Sequence, residues 1–187
     1  MPMRELRIAA FAGFVLALVT SVQAQSPYGI GRAAMPAEIA GWNIDIDRYG
    51  NNLPPGTGGV IHGREVFDQQ CAACHGAKGE GGIGEQLVGG QGTLATAKPV
   101  RTVGSYWPYA PTLFDYIRRA MPQNAPQSLS NEDVYAVSAC ILHLNGLLPA
   151  EATVDAKSLS AIKMPNRNMF VGDPRPDVKN PACMTGC

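Results

Sequence analysis

The segment QQCAACHGAKGEGG places Cys71 and Cys74 two residues apart and His75 directly after the second thiol. Thiols at this spacing can bind a metal, close a disulfide, exchange redox equivalents or add across the two vinyl groups of a haem. The adjacent imidazole selects the last of these, because it can reach the iron of a haem that both thiols hold covalently. A structural zinc site would need a second pair of ligands. The only other histidines are His62 and His143, Cys140 stands alone, and Cys183 and Cys187 fall in a CMTGC tail. A thioredoxin-like pair would need a strand-helix-strand setting, which the surrounding pattern does not provide. Cys71, Cys74 and His75 therefore read as the attachment site of one haem c, with His75 on the proximal side of the iron.

The opposite side of the iron needs a ligand or stays open. Met121 lies 46 positions after His75 in RRAMPQNAPQSL, where Pro122 and Pro126 stiffen a loop that can hold a thioether over the iron. Met164, in IKMPNRNMF, also precedes a proline and is its rival. A lone methionine is ordinarily core filler, but an iron that needs a soft neutral ligand favours Met121. His62 and His143 read as surface or packing residues. Arg101, Trp107 and Tyr109 can donate hydrogen bonds to haem propionates or simply pack and solvate their loop; both readings stand. Cys140 reads as a small buried apolar group. In an oxidising compartment Cys183 and Cys187 can close a small ring; a bond to Cys140 or to another chain is the alternative.

Three segments with helical period must position these groups. The first runs from Val60 into Cys71, with Val60, Gly63, Phe67 and Cys71 on one face and Gly63 small enough to admit another helix. The second, PTLFDYIRRA, has proline in its first turn and Leu113, Ile117 and Ala120 on one face. The third starts at Ser130 with Asp133 in a capping-box pattern, carries the stripe Val134, Val137, Ile141 and Leu144, and stops at Gly146. Nothing alternates convincingly with period two, which predicts an all-α domain over residues 60–146.

Around this middle lie two irregular arms. Residues 25–59 mix Gly and Pro with Tyr28, Ile30, Trp42 and Ile44; aromatics are rare in disordered linkers, so this arm is expected to be ordered. Residues 147–187 are broken repeatedly by proline. At the N-terminus, Arg4 and Arg7 precede an apolar run from Ile8 to Val19, and Val22-Gln23-Ala24 fits a cleavage site. Residues 1–24 thus read as an export signal to the periplasm, with an uncleaved anchor as the alternative. Across the 187 residues, fifteen basic groups balance fifteen acidic ones, so nothing argues for a polyanionic partner such as nucleic acid.

The order of a helix into CxxCH, a Gly-rich loop, a helix, a Met-Pro loop and a last amphipathic helix resembles class I cytochrome c over residues 60–146. That resemblance implies a crossing of the first and last helices near Gly63 and Phe67 against Tyr135 to Leu142, and electron transfer through an exposed haem edge. A longer resemblance is carried by YGIGRAAMPAEIAGWNIDI, LPPGTG, CAACHGAKGEGG, LVGGQGTL, TVGSYWPYAPTLFDYIRRAMPQNAPQSL, NEDVYAV and KMPNRN, which are similar to SoxD-type cytochrome subunits of sulfane dehydrogenase. It implies a molybdenum-cofactor subunit as electron donor, sulfur-compound oxidation on that partner, and a further cytochrome as acceptor. This chain would then be no enzyme on its own. Many members carry a second haem domain, whereas this chain has one CxxCH; and GIGEQLVGG lacks the proline that usually receives the proximal imidazole N–H, which leaves the carbonyl partner of His75 open. The alternatives in function are a soluble shuttle for another periplasmic dehydrogenase, or a haem enzyme whose sixth position is open or held by cysteine.

Overall fold

The computed structural model describes residues 30–173 together with Tyr28; the expected signal segment and the Cys183–Cys187 pair lie outside the described residues. The chain divides into two units at Asn43 and Ile44.

In the first unit, Pro36 opens a short helix α1 (Pro36–Trp42). Its start is held by the Glu38 carboxylate, which accepts the Met35 N–H at 2.7 Å and an Arg32 guanidinium hydrogen bond at 2.6 Å. None of its residues is buried. Tyr28, Ile30 and Trp42 are 83%, 78% and 88% exposed.

The second unit contains β1 (Thr57–Gly59), α2 (Val60–Gln70), α3 (Ala72–His75), α4 (Ala110–Ala120), α5 (Asn131–Leu144), β2 (Thr153–Asp155) and α6 (Ala156–Ala161). Helices dominate, as the sequence pattern predicts. β1 and β2 pair antiparallel with Gly58 opposite Val154. The all-α expectation missed this two-stranded ribbon because three-residue strands, one of them TGG, are too short to show alternation.

The core gathers on α5. Every residue from Val134 to Leu142 is buried, although the sequence suggests a single apolar stripe. The reason is that α2, α4 and both strands pack around it, so the helix is covered on all sides. Phe67 of α2 and Phe114 of α4 are fully buried with Tyr135, and the Phe114 and Tyr135 rings lie 4.4 Å apart. The Tyr135 hydroxyl donates to the Pro54 carbonyl at 2.8 Å, and burial pushes its pKa up to about 12. Where α2 crosses α5, Gly63 lies directly on the α5 backbone: a Cβ there would stand 1.8 Å from the Ala136 carbonyl oxygen and 3.0 Å from the Cys140 Cβ. α5 starts as the cap pattern predicts, with the Ser130 hydroxyl accepting the Asp133 N–H at 3.1 Å, and ends at Gly146, whose φ of 74° suits a glycine stop.

Two polar ties hold the edges of this unit. Asp115 of α4, only 8% exposed, accepts the Ile46 N–H at 2.9 Å and the Arg119 Nε–H at 2.9 Å. Replacing Asp115 with Ala leaves the buried Ile46 N–H without an acceptor, so a loss of about 2 kcal/mol is expected. Hydrogen exchange should show fast opening at Ile46 while the α2–α5 amides stay protected; unchanged exchange at Ile46 would contradict this.

The second tie joins the starts of α2 and α5. His62 lies 2.8 Å from Asp133 and 3.3 Å from Glu65. Hydrogen bonds to Asp133, then to Glu65, raise the His62 pKa. Burial works against ionised Asp133, but the bonds from His62 and Ser130 prevail and lower its pKa. The His62 contribution is therefore complete below the ordinary imidazole value of about 6.5 and fades as pH rises through the raised value. The Asp133 contribution is present above the ordinary carboxylate range and fades as pH falls through the lowered value. The melting temperature of the parent minus that of His62→Gln should be positive near pH ~6 and vanish above pH ~8. With both side chains partly exposed the effect is small, but a difference of the same size at both pH values would contradict it.

Candidate haem site

α2 ends at Cys71, whose N–H still reaches the Phe67 carbonyl at 2.9 Å, and a new single turn, α3, begins immediately. The Cys71 carbonyl accepts the N–H groups of both Cys74 and His75, at 3.1 and 3.0 Å. This break in direction sets the two thiols differently. Cys71 is half-buried against the core, whereas Cys74 is exposed. Neither is in a disulfide. Burial pushes the Cys71 thiol up to about 11, with the Cys140 and Cys74 thiols adding to the effect. Cys140 is 1% exposed in the core, a small apolar filler by its surroundings.

The carbonyl that faces His75 belongs to Glu85. The imidazole Nδ1 lies 2.6 Å from it, and since a carbonyl can only accept, Nδ1 carries the proton and Nε2 keeps its lone pair for a metal. The loop delivers Glu85 by folding back on the CxxCH turn. The Gly81 N–H donates to the His75 carbonyl and the Gly84 N–H to the Cys74 carbonyl, both at 2.8 Å. A Cβ on Gly84 would stand 2.9 Å from the His75 ring, so only glycine lets the backbone pass this close. The glycines of GEGGIG were the visible signal; the acceptor itself is a backbone atom and leaves no trace in residue type.

The next segment is pinned to the end of α5 by Asn145. Its side-chain oxygen accepts the Gly89 N–H at 3.0 Å, and its amide donates to the carbonyls of Leu87 and Ile141 at 3.1 and 2.9 Å. Thr102 continues the lock through its hydroxyl to the Gly89 carbonyl.

Met121 caps α4, its N–H bonded to the Ile117 carbonyl at 3.0 Å, with its side chain half-buried against the core. Met164 is only 3% exposed, within the core cluster. Its segment is tied to the SYWPYA loop by Asn166, whose amide donates to the Tyr106 carbonyl at 2.5 Å. Arg101 stacks over the Tyr106 ring at 5.5 Å, Trp107 meets Tyr116 edge-on at 5.8 Å, and Tyr109 precedes α4. Two cations that the sequence does not pair with Tyr109 lie over its ring: Arg48 at 5.9 Å and Arg167 at 5.2 Å. They come from the segments before β1 and after α6, so no local pattern could have paired them. His143 is engaged with the Leu148 carbonyl at 2.8 Å.

A cytochrome family model described as cytochrome c oxidase, cbb3-type, subunit III matches residues 59–141. No curated protein matches the chain significantly. Among solved structures, the sulfane dehydrogenase SoxCD from Paracoccus pantotrophus matches with 39% identity and a TM-score of 0.75, over 85% of this chain and 81% of that one. The chain belongs to the SoxD-like cytochromes. A SoxD-like cytochrome is an electron-transfer protein, and its family implies haem c. The residues present fit that group: two unpaired thiols on one turn, an imidazole with its Nε2 free, and a half-buried thioether.

Proposed function

We propose that this SoxD-like cytochrome works in the periplasm as a single-haem electron carrier. It would take electrons from a molybdenum-cofactor dehydrogenase subunit acting on sulfur compounds and pass them to another cytochrome. Cys71 and Cys74 would hold the haem by thioether bonds, and His75 Nε2 and the Met121 sulfur would be the ligands of its iron. The observation that carries this reading is the His75 imidazole held on the Glu85 carbonyl at 2.6 Å beside two unpaired thiols. A haem ligated in this way supplies a one-electron couple, and the thioether favours its reduced state.

The chain's own part is to orient and to shield. The Glu85 carbonyl keeps the imidazole from rotating, Cys71 would tether the haem beside the core, and the Asn145 and Thr102 contacts hold the loop from Leu87 to Thr102 in place. Arg48 and Arg167, near Tyr109, offer positive charge for propionates together with Arg101, Trp107 and Tyr109. Residues 1–24 would direct export; among the described residues no helix is long and apolar enough to cross a membrane.

Docking to the dehydrogenase is supported by α1 and the residue before it, where Met35, Ile39 and Trp42 are exposed. Exposed apolar groups on an otherwise well-formed helix are what a permanent partner covers. The double variant Ile39→Asp, Trp42→Asp should lose co-elution with the molybdenum subunit while its haem spectrum and melting temperature stay unchanged; co-elution at parental level would refute this role of α1. Activity is tested by mixing the oxidised haem protein anaerobically with a sulfane dehydrogenase molybdenum subunit and its sulfur substrate. The haem bands should become those of the reduced form, and a lack of reduction would overturn the assignment.

A further inference from the structure

We propose that Asn145 is a positioning residue for the proximal iron ligand. It ties the loop that carries the Glu85 carbonyl to the end of α5, and so sets how firmly that carbonyl holds His75. This deepens the function proposed above and rests on its assignment of His75 to the iron. Asn145 caps the end of α5 and is only 8% exposed. Its amide nitrogen donates to the Ile141 carbonyl of its own helix at 2.9 Å and across to the Leu87 carbonyl at 3.1 Å, while its oxygen accepts the Gly89 N–H at 3.0 Å. These partners fix the orientation of the amide, because turning it over would set its oxygen against two carbonyls. The backbone also packs directly on it: a Cβ on Gly104 would stand 2.1 Å from the Asn145 oxygen. A residue that served the helix alone would need only the bond to Ile141, whereas Asn145 directs its other two bonds to the loop.

Both of those bonds end close to Glu85 in the chain. The N–H groups of Leu87 and Val88 donate to the Gly79 carbonyl at 2.8 and 3.1 Å, and the Leu87 carbonyl and Gly89 N–H then meet Asn145. Residues 85–89 are thus clamped on one side to the loop that follows CxxCH and on the other to α5. The first clamp lies within one loop, but Asn145 joins that loop to a helix whose residues from Val134 to Leu142 are all buried. Thr102 and Val103 bond the Gly89 and Leu87 carbonyls as well, yet they belong to a further loop and not to the helix.

A hydrogen bond from Nδ1–H to a carbonyl makes an imidazole a stronger donor to a metal, and stronger donation favours the ferric over the ferrous state. Loosening Glu85 therefore shifts the couple toward the reduced form. General damage to the fold acts in the opposite direction, because releasing the Met121 thioether or admitting water favours the oxidised form. The sign of the shift separates positioning from mere support.

The test uses the full haem-loaded chain as parent, Asn145→Ser and Tyr135→Phe. A serine hydroxyl can bond the carbonyl one turn back in its own helix but is too short to reach Leu87 and Gly89, so it deletes only the bonds to the loop. Tyr135→Phe is the control, since it removes a buried bond from the same helix to the Pro54 carbonyl. At the ambient potential where the parent is half reduced, the reduced-to-oxidised ratio of Asn145→Ser should be roughly fivefold higher, the order expected for weakening one hydrogen bond. Its near-infrared sulfur-to-iron band should persist, and Tyr135→Phe should match the parent. In the reduced protein, NMR should show the His75 Nδ1–H of Asn145→Ser exchanging with solvent roughly tenfold faster than in the parent. A ratio that stays or falls in Asn145→Ser, an unchanged Nδ1–H exchange rate, or an equal shift in Tyr135→Phe would each overturn the proposal. If Asn145→Ser takes up no haem, the parent decides alone: its His75 Nδ1–H and Gly89 N–H should exchange with the same denaturant dependence, as groups released by one opening do. Exchange of Nδ1–H while Gly89 stays protected would refute the role of Asn145. A parent in which His75 proves not to bind the iron would instead refute the function proposed above.

Discussion

Replacing Met121 with Ala is expected to abolish the near-infrared sulfur-to-iron charge-transfer band of the oxidised protein. The same change should lower the reduction potential by on the order of 100 mV or more, a modest part of the ~0.8 V that axial ligands span. The thioether stabilises the ferrous state, so its loss moves the couple toward the oxidised form. Met121 ends α4 in a loop stiffened by Pro122, which is buried, and its side chain is only half covered by the core. Met164 supplies the discriminating variant. It is almost fully enclosed in the core, so Met164→Leu, which conserves volume, should keep both the band and the potential and cost under about 1.5 kcal/mol of stability. If Met164→Leu loses the band and Met121→Ala keeps it, the two assignments must be exchanged.

Gly63→Ala is expected to be strongly destabilising. A Cβ at 1.8 Å from the Ala136 carbonyl oxygen cannot be relieved by turning a side chain, because the clash is with the backbone of α5. The helices must separate, and the loss spreads to Phe67 and Tyr135, both fully buried at the same interface. Overpacking of this kind costs about 3 kcal/mol, a fall in melting temperature of about 6–12 °C for a chain of this size. The same methyl at Gly41, which has nothing within 4 Å of it, should cost nothing measurable and slightly favour α1. Equal melting temperatures for Gly63→Ala and Gly41→Ala would show that the α2–α5 crossing is not the keystone claimed here.

That crossing was legible in the sequence. The spacing of Val60, Gly63, Phe67 and Cys71 marks one helical face, and only a small residue permits the approach that Gly63 makes. The starts and stops at Pro111, Ser130 and Gly146 were equally readable, because caps and breakers act locally. What escaped was non-local. The β1–β2 ribbon joins residues nearly a hundred positions apart through three-residue strands. α5 shows a stripe in sequence but is enclosed all round, since neighbours and not its own composition decide its exposure.

At the site, residue type and spacing singled out the two thiols and the imidazole, which the structure sets on one turn. The group that orients His75 is the Glu85 carbonyl, which every residue possesses, so no sequence pattern could name it. Arg48 and Arg167 were hidden for a related reason: each is unremarkable in its own segment and gains meaning only when both segments meet Tyr109.

The central claim is that this SoxD-like cytochrome serves a molybdenum sulfur-compound dehydrogenase. Its most direct test is purification of the native protein under gentle conditions, with molybdenum and haem determined in the same fraction. Molybdenum should elute with the haem in a fixed ratio, and that haem should be reduced on addition of the sulfur substrate. A haem protein that elutes free of molybdenum, and is not reduced when a sulfane dehydrogenase molybdenum subunit and substrate are supplied, would contradict it.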